Sequence, residues 1–143
     1  MKNTVKYVEW DDKFSVGIPL VDNQHKRLVE MTNMLHEACI LNSEAALIQF
    51  NETASEMVLY VNQHFTTEEQ LMERTNFPGL AEHKKMHAEF VKELLTDVEA
   101  VKSGKKLIPN NFVKFLRDWV LSHIAIYDSK LGAYLAEQKK KSG

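Results

Sequence analysis

Apolar residues recur every three or four positions in four stretches of this chain, near 20–40, 44–74, 80–102 and 110–137. The first carries Val21, His25, Leu28, Thr32, Leu35 and Cys39 at those steps, and the second Leu47, Phe50, Ala54, Met57, Val61, His64, Glu68 and Leu71. The third has Leu80, His83, His87, Phe90 and Leu94. The fourth has Phe112, Leu116, Trp119, His123 and Tyr127, widened by Val120, Ile124 and Leu131. Such a stripe is the buried seam of an amphipathic helix, and the two-residue alternation of a strand is nowhere sustained. Gly17-Ile18-Pro19, Asn42-Ser43-Glu44, Asn76-Phe77-Pro78-Gly79, Ser103-Gly104-Lys105 and Pro109-Asn110 punctuate the stretches as caps and turns. Connections this short make neighbouring helices antiparallel. The pattern predicts an all-α, antiparallel up-down-up-down four-helix bundle, one domain over residues 1–143. Residues 1–18 form a non-helical N-terminal arm holding Trp10 and Phe14.

Composition narrows the class. Of 143 residues 44% are hydrophobic and 27% charged, with 5 Gly, 3 Pro and 1 Cys, which excludes disordered, collagen-like and disulfide-stapled chains. Eighteen Lys and Arg against twenty Asp and Glu leave a formal charge of −2, poorly suited to nucleic acid or an anionic membrane surface. The Lys139-Lys140-Lys141 end suits a solvated helix C-terminus. No run approaches the roughly 18 apolar residues of a membrane span, and the start has no signal-peptide core. Lone Cys39 forms no internal disulfide and sits on a seam as a small hydrophobe, so a reducing, cytoplasmic setting is expected.

The seams contain residues that do not belong in an apolar core. His25, His64, Glu68, His83, His87 and His123 stand where neighbouring steps carry Leu, Val, Phe or Met. Burying them is costly unless each is paired or holds a metal. In an antiparallel bundle the start of the first helix is level with the end of the second, the start of the third and the second half of the fourth. All the misfits, with Asp128 beyond His123, therefore fall on one level. His36 shares the face of His25 but lies three turns away, on the order of 16 Å along the axis; it reads as structural. Met31, Met34, Met57 and Met72 read as core filler, and Glu69 as solvent-facing.

Spacing favours ligation. His64 and Glu68, like His83 and His87, are i,i+4 pairs that share a helix face. His123 and Asp128 are i,i+5, about 140° apart on a regular helix, so a local widening or other deviation is expected between Ile124 and Asp128. Five imidazoles and two carboxylates exceed the needs of one tetrahedral site and suit two metals. Nitrogen and oxygen donors without thiolate favour Fe, Mn, Zn or Cu over Mg or Ca, and affinity order does not choose iron among them.

These residues, in order, resemble the hemerythrin family: Trp10, Phe14, Gly17 and Asp22-Asn23-Gln24-His25; His64-Phe65, Glu68-Glu69 and Met72; His83, His87 and Phe90; Trp119, His123-Ile124 and Asp128. The likeness runs from Trp10 to about Leu135 and is closest to single-domain bacterial members. It implies a four-helix bundle around two non-haem Fe ions with an oxo or hydroxo bridge. In that likeness His83, His87 and His123 hold one iron, His25 and His64 the other, and Glu68 and Asp128 bridge them. Leu28, Phe65, Trp119 and Ile124 match positions lining the dioxygen pocket. The implied function is reversible dioxygen binding for storage, delivery or sensing, with dioxygen the small partner and any protein partner open. Rival readings are a di-iron oxidase or peroxide- or NO-handling enzyme, a sensor module working through a separate partner, and a zinc or iron store. The His-rich seams lack the paired Glu-x-x-His signature of ferritin-like oxidases.

Overall fold

The computed structural model describes residues 7–41, 43–102 and 109–142. Among them every regular element is helical: α1 (Pro19–Leu41), α2 (Glu44–Arg74), α3 (Leu80–Lys102) and a fourth rod. That rod is α4 (Pro109–Ser122), a six-residue π segment (His123–Asp128) and α5 (Ser129–Ser142), so it extends past the expected end near 137. The described part of the arm, from residue 7, is non-helical apart from one 3-10 turn at Asp12–Phe14. The helix stop expected at Ser103-Gly104-Lys105, and Asn42 of the cap sequence Asn42-Ser43-Glu44, lie outside the described residues. No described helix is long and apolar enough to cross a membrane.

Local chemistry sets the ends. Ser43 caps α2, its Oγ accepting from the Ala46 amide at 3.1 Å. At the other end the Thr75 hydroxyl donates to the Leu71 carbonyl at 2.8 Å, and Asn76 turns the chain with φ of 55°. Asn tolerates that left-handed conformation better than most residues. The Tyr134 hydroxyl then donates to the Thr75 carbonyl at 2.7 Å, tying the α2–α3 turn to α5. This tie levels the end of α2 and the start of α3 with the second half of the fourth rod.

Helix α1 packs on α2 and α4, and α2 on α3. One buried cluster runs along the bundle through Leu28, Leu35, Phe50, Met57, Phe65, Leu94 and Leu116, and a smaller one joins Val8, Val29, Val120 and Ile124. Leu35, Met57, Leu94 and Leu116 are wholly buried, each contributing about 1.5–3 kcal/mol. Leu47 departs from its expected seam place: it is 48% exposed, and the smaller Ala46 takes the buried position. The start of α2 thus presents Ala46 and Phe50 inward.

The arm is held by polar side chains. Asp22 accepts from the Val16 amide at 2.8 Å and the Ser15 hydroxyl at 2.6 Å, while the Asn33 amide bonds both backbone groups of Val8 at 2.7 Å. Gly132 lets the arm cross α5, because a Cβ there would lie 2.5 Å from the Val16 carbonyl oxygen.

Candidate metal centre

Each helix delivers its misfit residues to one place because the apolar seam carries them inward. His25 comes from α1, His64 and Glu68 from successive turns of α2, His83 and His87 from successive turns of α3, and His123 and Asp128 from the two ends of the π segment. All seven are buried, with His25, His64, Glu68 and Asp128 at 0% exposure. The π segment supplies the deviation that the i,i+5 spacing of His123 and Asp128 called for.

The two carboxylates divide the imidazoles into two groups. Glu68 Oε1 lies 2.6 Å from His64 Nε2 and 3.3 Å from His25 Nε2; its Oε2 lies 3.5 Å from His123 Nε2 and 3.6 Å from His87 Nε2. Asp128 repeats the division. Its Oδ2 is 2.7 Å from His25 Nε2 and 4.0 Å from His64 Nε2, and its Oδ1 is 2.9 Å from His123 Nε2 and 3.6 Å from His83 Nε2. One pair of oxygens faces two imidazoles and the other pair faces three. Ligand atoms of His25, His64, Glu68 and Asp128 all lie within 4.8 Å of one another, as do those of Glu68, His83, His123 and Asp128.

The donor set fits cations better than it fits itself. Glu68 Oε2, both Asp128 oxygens, His64 Nε2 and His83 Nε2 are buried without a hydrogen-bond partner, although several lie at contact distance. Atoms that approach closely yet are not aimed along hydrogen bonds converge on shared space between them. An uncompensated group of this kind is expensive in a protein interior. Neutral imidazole nitrogens and carboxylate oxygens are the donors iron takes.

The electrostatics express the same crowding. Burial opposes a charge on His25, but Asp128 and Glu68 outweigh it and raise its pKa to about 9; His123 is raised to about 10 against burial by Asp128 and then Glu68. His87 goes the other way, lowered to about 4 by burial and the neighbouring His123, with Glu69 opposing. Burial works against the charge of Glu68 and Asp128, and Glu68 repels Asp128. The surrounding histidines nonetheless hold both carboxylates below the usual range.

An aromatic wall covers the cluster. Phe65 stacks on His87 at 3.7 Å between ring centroids with 3° between planes, and Trp119 stacks on His123 at 4.4 Å and 12°. Trp119 is half-buried and packs against both apolar clusters, linking buried Leu28 and Phe65 on one side to buried Ile124 on the other. His36 is far from this site: its ring stacks on Tyr7 at 3.9 Å, and Arg117 lies 4.9 Å from the centroid of the same tyrosine.

Two supporting residues escaped the pattern of seams. Gln24 is buried and accepts from His64 Nδ1 at 2.7 Å. Glu69, expected to face solvent, is only 26% exposed and accepts from His87 Nδ1 at 2.8 Å. Both signals were present: Val21, Gln24 and Leu28 step by three and four, and so do Phe65, Glu69 and Met72.

The chain is similar to known proteins. The family model for the hemerythrin HHE cation-binding domain matches residues 16–135. A bacteriohemerythrin of Stenotrophomonas maltophilia is 35% identical over 115 residues, covering 80% of this chain and 72% of that protein. A myohemerythrin of Riftia pachyptila is 31% identical over 121 residues, covering 85% of this chain and 88% of that one. A crystal structure of wild-type hemerythrin superposes with a TM-score of 0.82 at 25% identity, covering 90% of this chain and 98% of that one. The chain belongs to the hemerythrin family.

Proposed function

We propose that this protein binds dioxygen reversibly at a non-haem di-iron centre, and that storage, delivery or sensing of dioxygen is its task. One observation carries the reading: Glu68 and Asp128 each turn one oxygen toward the pair His25 and His64, and their other oxygens together face the trio His83, His87 and His123. His83, His87 and His123 would hold one iron, and His25 and His64 the other, with Glu68 and Asp128 shared. Two ferrous ions there would supply the electrons that dioxygen draws on when it binds and returns when it leaves. The two-histidine half is one imidazole short of the other, and that shortfall is the seat assigned to dioxygen.

The protein's own residues explain why binding, rather than turnover, is favoured. Leu28, Phe65 and Ile124 are buried and Trp119 half-buried; as the wall of the seat they would keep out the water and protons that would carry off reduced oxygen. Neutral imidazoles outnumber carboxylates five to two. They leave the metals less electron-rich than the Glu-rich sets of ferritin-like oxidases, which disfavours cleavage of the O–O bond. Family relatives bear the names bacteriohemerythrin and myohemerythrin.

Anaerobic reconstitution with ferrous iron, followed by spectra before and after air and again under vacuum, tests this directly. The expected result is two irons per chain and near-ultraviolet and visible charge-transfer bands that appear with air and fade under vacuum. Iron without such bands, or bands that never reverse, would overturn reversible binding.

A further inference from the structure

Glu69 touches one imidazole of the cluster from behind. Its Oε2 accepts the Nδ1 proton of His87 at 2.8 Å. The same ring aims Nε2 into the cluster, 3.6 Å from Glu68 Oε2 and 3.2 Å from His123 Nε2. A neutral imidazole carries a single proton. Held at Nδ1, it leaves Nε2 as the bare lone pair a metal needs. Phe65 lies flat against the ring at 3.7 Å, so His87 is gripped by its face and by its outer edge at once.

The other imidazoles are treated differently. His64 Nδ1 donates to the neutral carboxamide of Gln24 at 2.7 Å, while Nδ1 of His25 and of His123 has no hydrogen-bond partner. Among the described residues, only His87 meets a carboxylate at its outer nitrogen. Glu69 can supply that charge because it is not sealed in. With His87 it lines an open groove of about 480 Å³ between α2 and α3, where Lys84 and Lys92 also stand. A carboxylate with access to water avoids the full penalty of burial, and a charged acceptor bonds about twice as strongly as a neutral one.

We propose that Glu69 is a positioning residue for the three-histidine half of the centre, fixing His87 as an Nε2 ligand and strengthening that nitrogen as a donor. This rests on the metal-centre reading above. A carboxylate behind a ligating histidine sets its tautomer and orientation and raises its basicity, and losing it typically lowers metal affinity about 10–100-fold. The two-histidine half has only the Gln24 amide in the equivalent role on His64. The halves are therefore unequally supported, and the three-histidine half fills first as metal is added.

The test pairs a metal titration with a metal-free measurement. Zinc is titrated anaerobically against a chromophoric chelator for the wild type, Glu69→Ala, Glu69→Gln and, as a control on the exposed side of α2, Glu73→Ala. We expect Glu69→Ala to weaken one binding step about 10–100-fold and spare the other. Glu69→Gln, whose amide oxygen still accepts from Nδ1 but lacks the charge, recovers only part of the loss, and Glu73→Ala changes nothing. In the metal-free protein, nitrogen-detected NMR should find the His87 proton on Nδ1 in the wild type and in Glu69→Gln, and redistributed in Glu69→Ala. Unchanged zinc affinity in Glu69→Ala, or an Nδ1 proton that stays in place, overturns the proposal. A wild type that takes up no second metal instead overturns the two-metal reading, while the NMR arm still judges Glu69.

Discussion

His123 Nε2 and Asp128 Oδ1 meet at 2.9 Å although they stand five positions apart on one rod. On a regular α-helix that spacing leaves side chains about 140° apart, on different faces. The π segment that begins at His123 and ends at Asp128 widens the turn and brings both groups to the same level. Replacing Asp128 with Asn keeps the shape but removes the charge shared by the two halves. Metal content after anaerobic iron loading should fall below two per chain, as read by elemental analysis. Two irons per Asp128→Asn chain would remove Asp128 from the ligand set.

The apolar wall makes a second expectation. Leu28 is 2% exposed and belongs to the same cluster as Phe65. Leu28→Ala should cost about 2–5 kcal/mol of stability through the cavity it leaves. Both irons should remain, and the oxygenated form should oxidise faster as water enters. An autoxidation rate equal to that of the parent protein would take Leu28 out of the pocket.

The arm yields a third, through Gly132. A Cβ at that position would lie 2.5 Å from the Val16 carbonyl, a backbone atom that gives way only if the arm shifts. Gly132→Ala should destabilise the protein by about 1–3 kcal/mol despite the higher helix propensity of Ala. Urea denaturation measures it, and an unchanged or higher midpoint would mean the arm moves freely.

Proton balance yields the fourth. In the metal-free chain His25 is raised to about 9 and His123 to about 10, against an ordinary value of 6.5. Between 6.5 and those values the folded chain binds more protons than the unfolded one, so the stability they contribute is lost as pH rises through the window. Metal-free protein should therefore have a lower urea midpoint at pH 9.5 than at pH 7. The metal-loaded form, its imidazoles already neutral ligands, should lack most of that drop. Loading at pH 7 should also release protons, detectable as a dependence of the binding heat on buffer ionisation. Equal pH slopes for the two forms would contradict this placement of the protons.

Much of the site was legible along the chain because a polar residue on an apolar seam is conspicuous. His25, His64, Glu68, His83, His87 and His123 stand out that way, and antiparallel topology alone puts them on one level. Asp128 was legible only as a spacing in conflict with a regular helix. Glu69 and Gln24 were passed over because each sits beside a stronger signal, Glu68 and His25. A residue at the edge of a seam faces inward or outward according to how far its neighbour helix reaches.

Periodicity, caps and charge by themselves determined that four helices form, which faces they bury and which residues would gather between them. These are properties of single helices and short connections, where 3.6 residues per turn leaves little choice. Tertiary structure decided what depends on two helices at once: which oxygen of Glu68 and Asp128 faces which histidines, that Glu69 holds His87, and that Ala46 rather than Leu47 enters the core. Those outcomes turn on ångström-scale distances between rods, set by packing across the whole bundle rather than by any local run of residues.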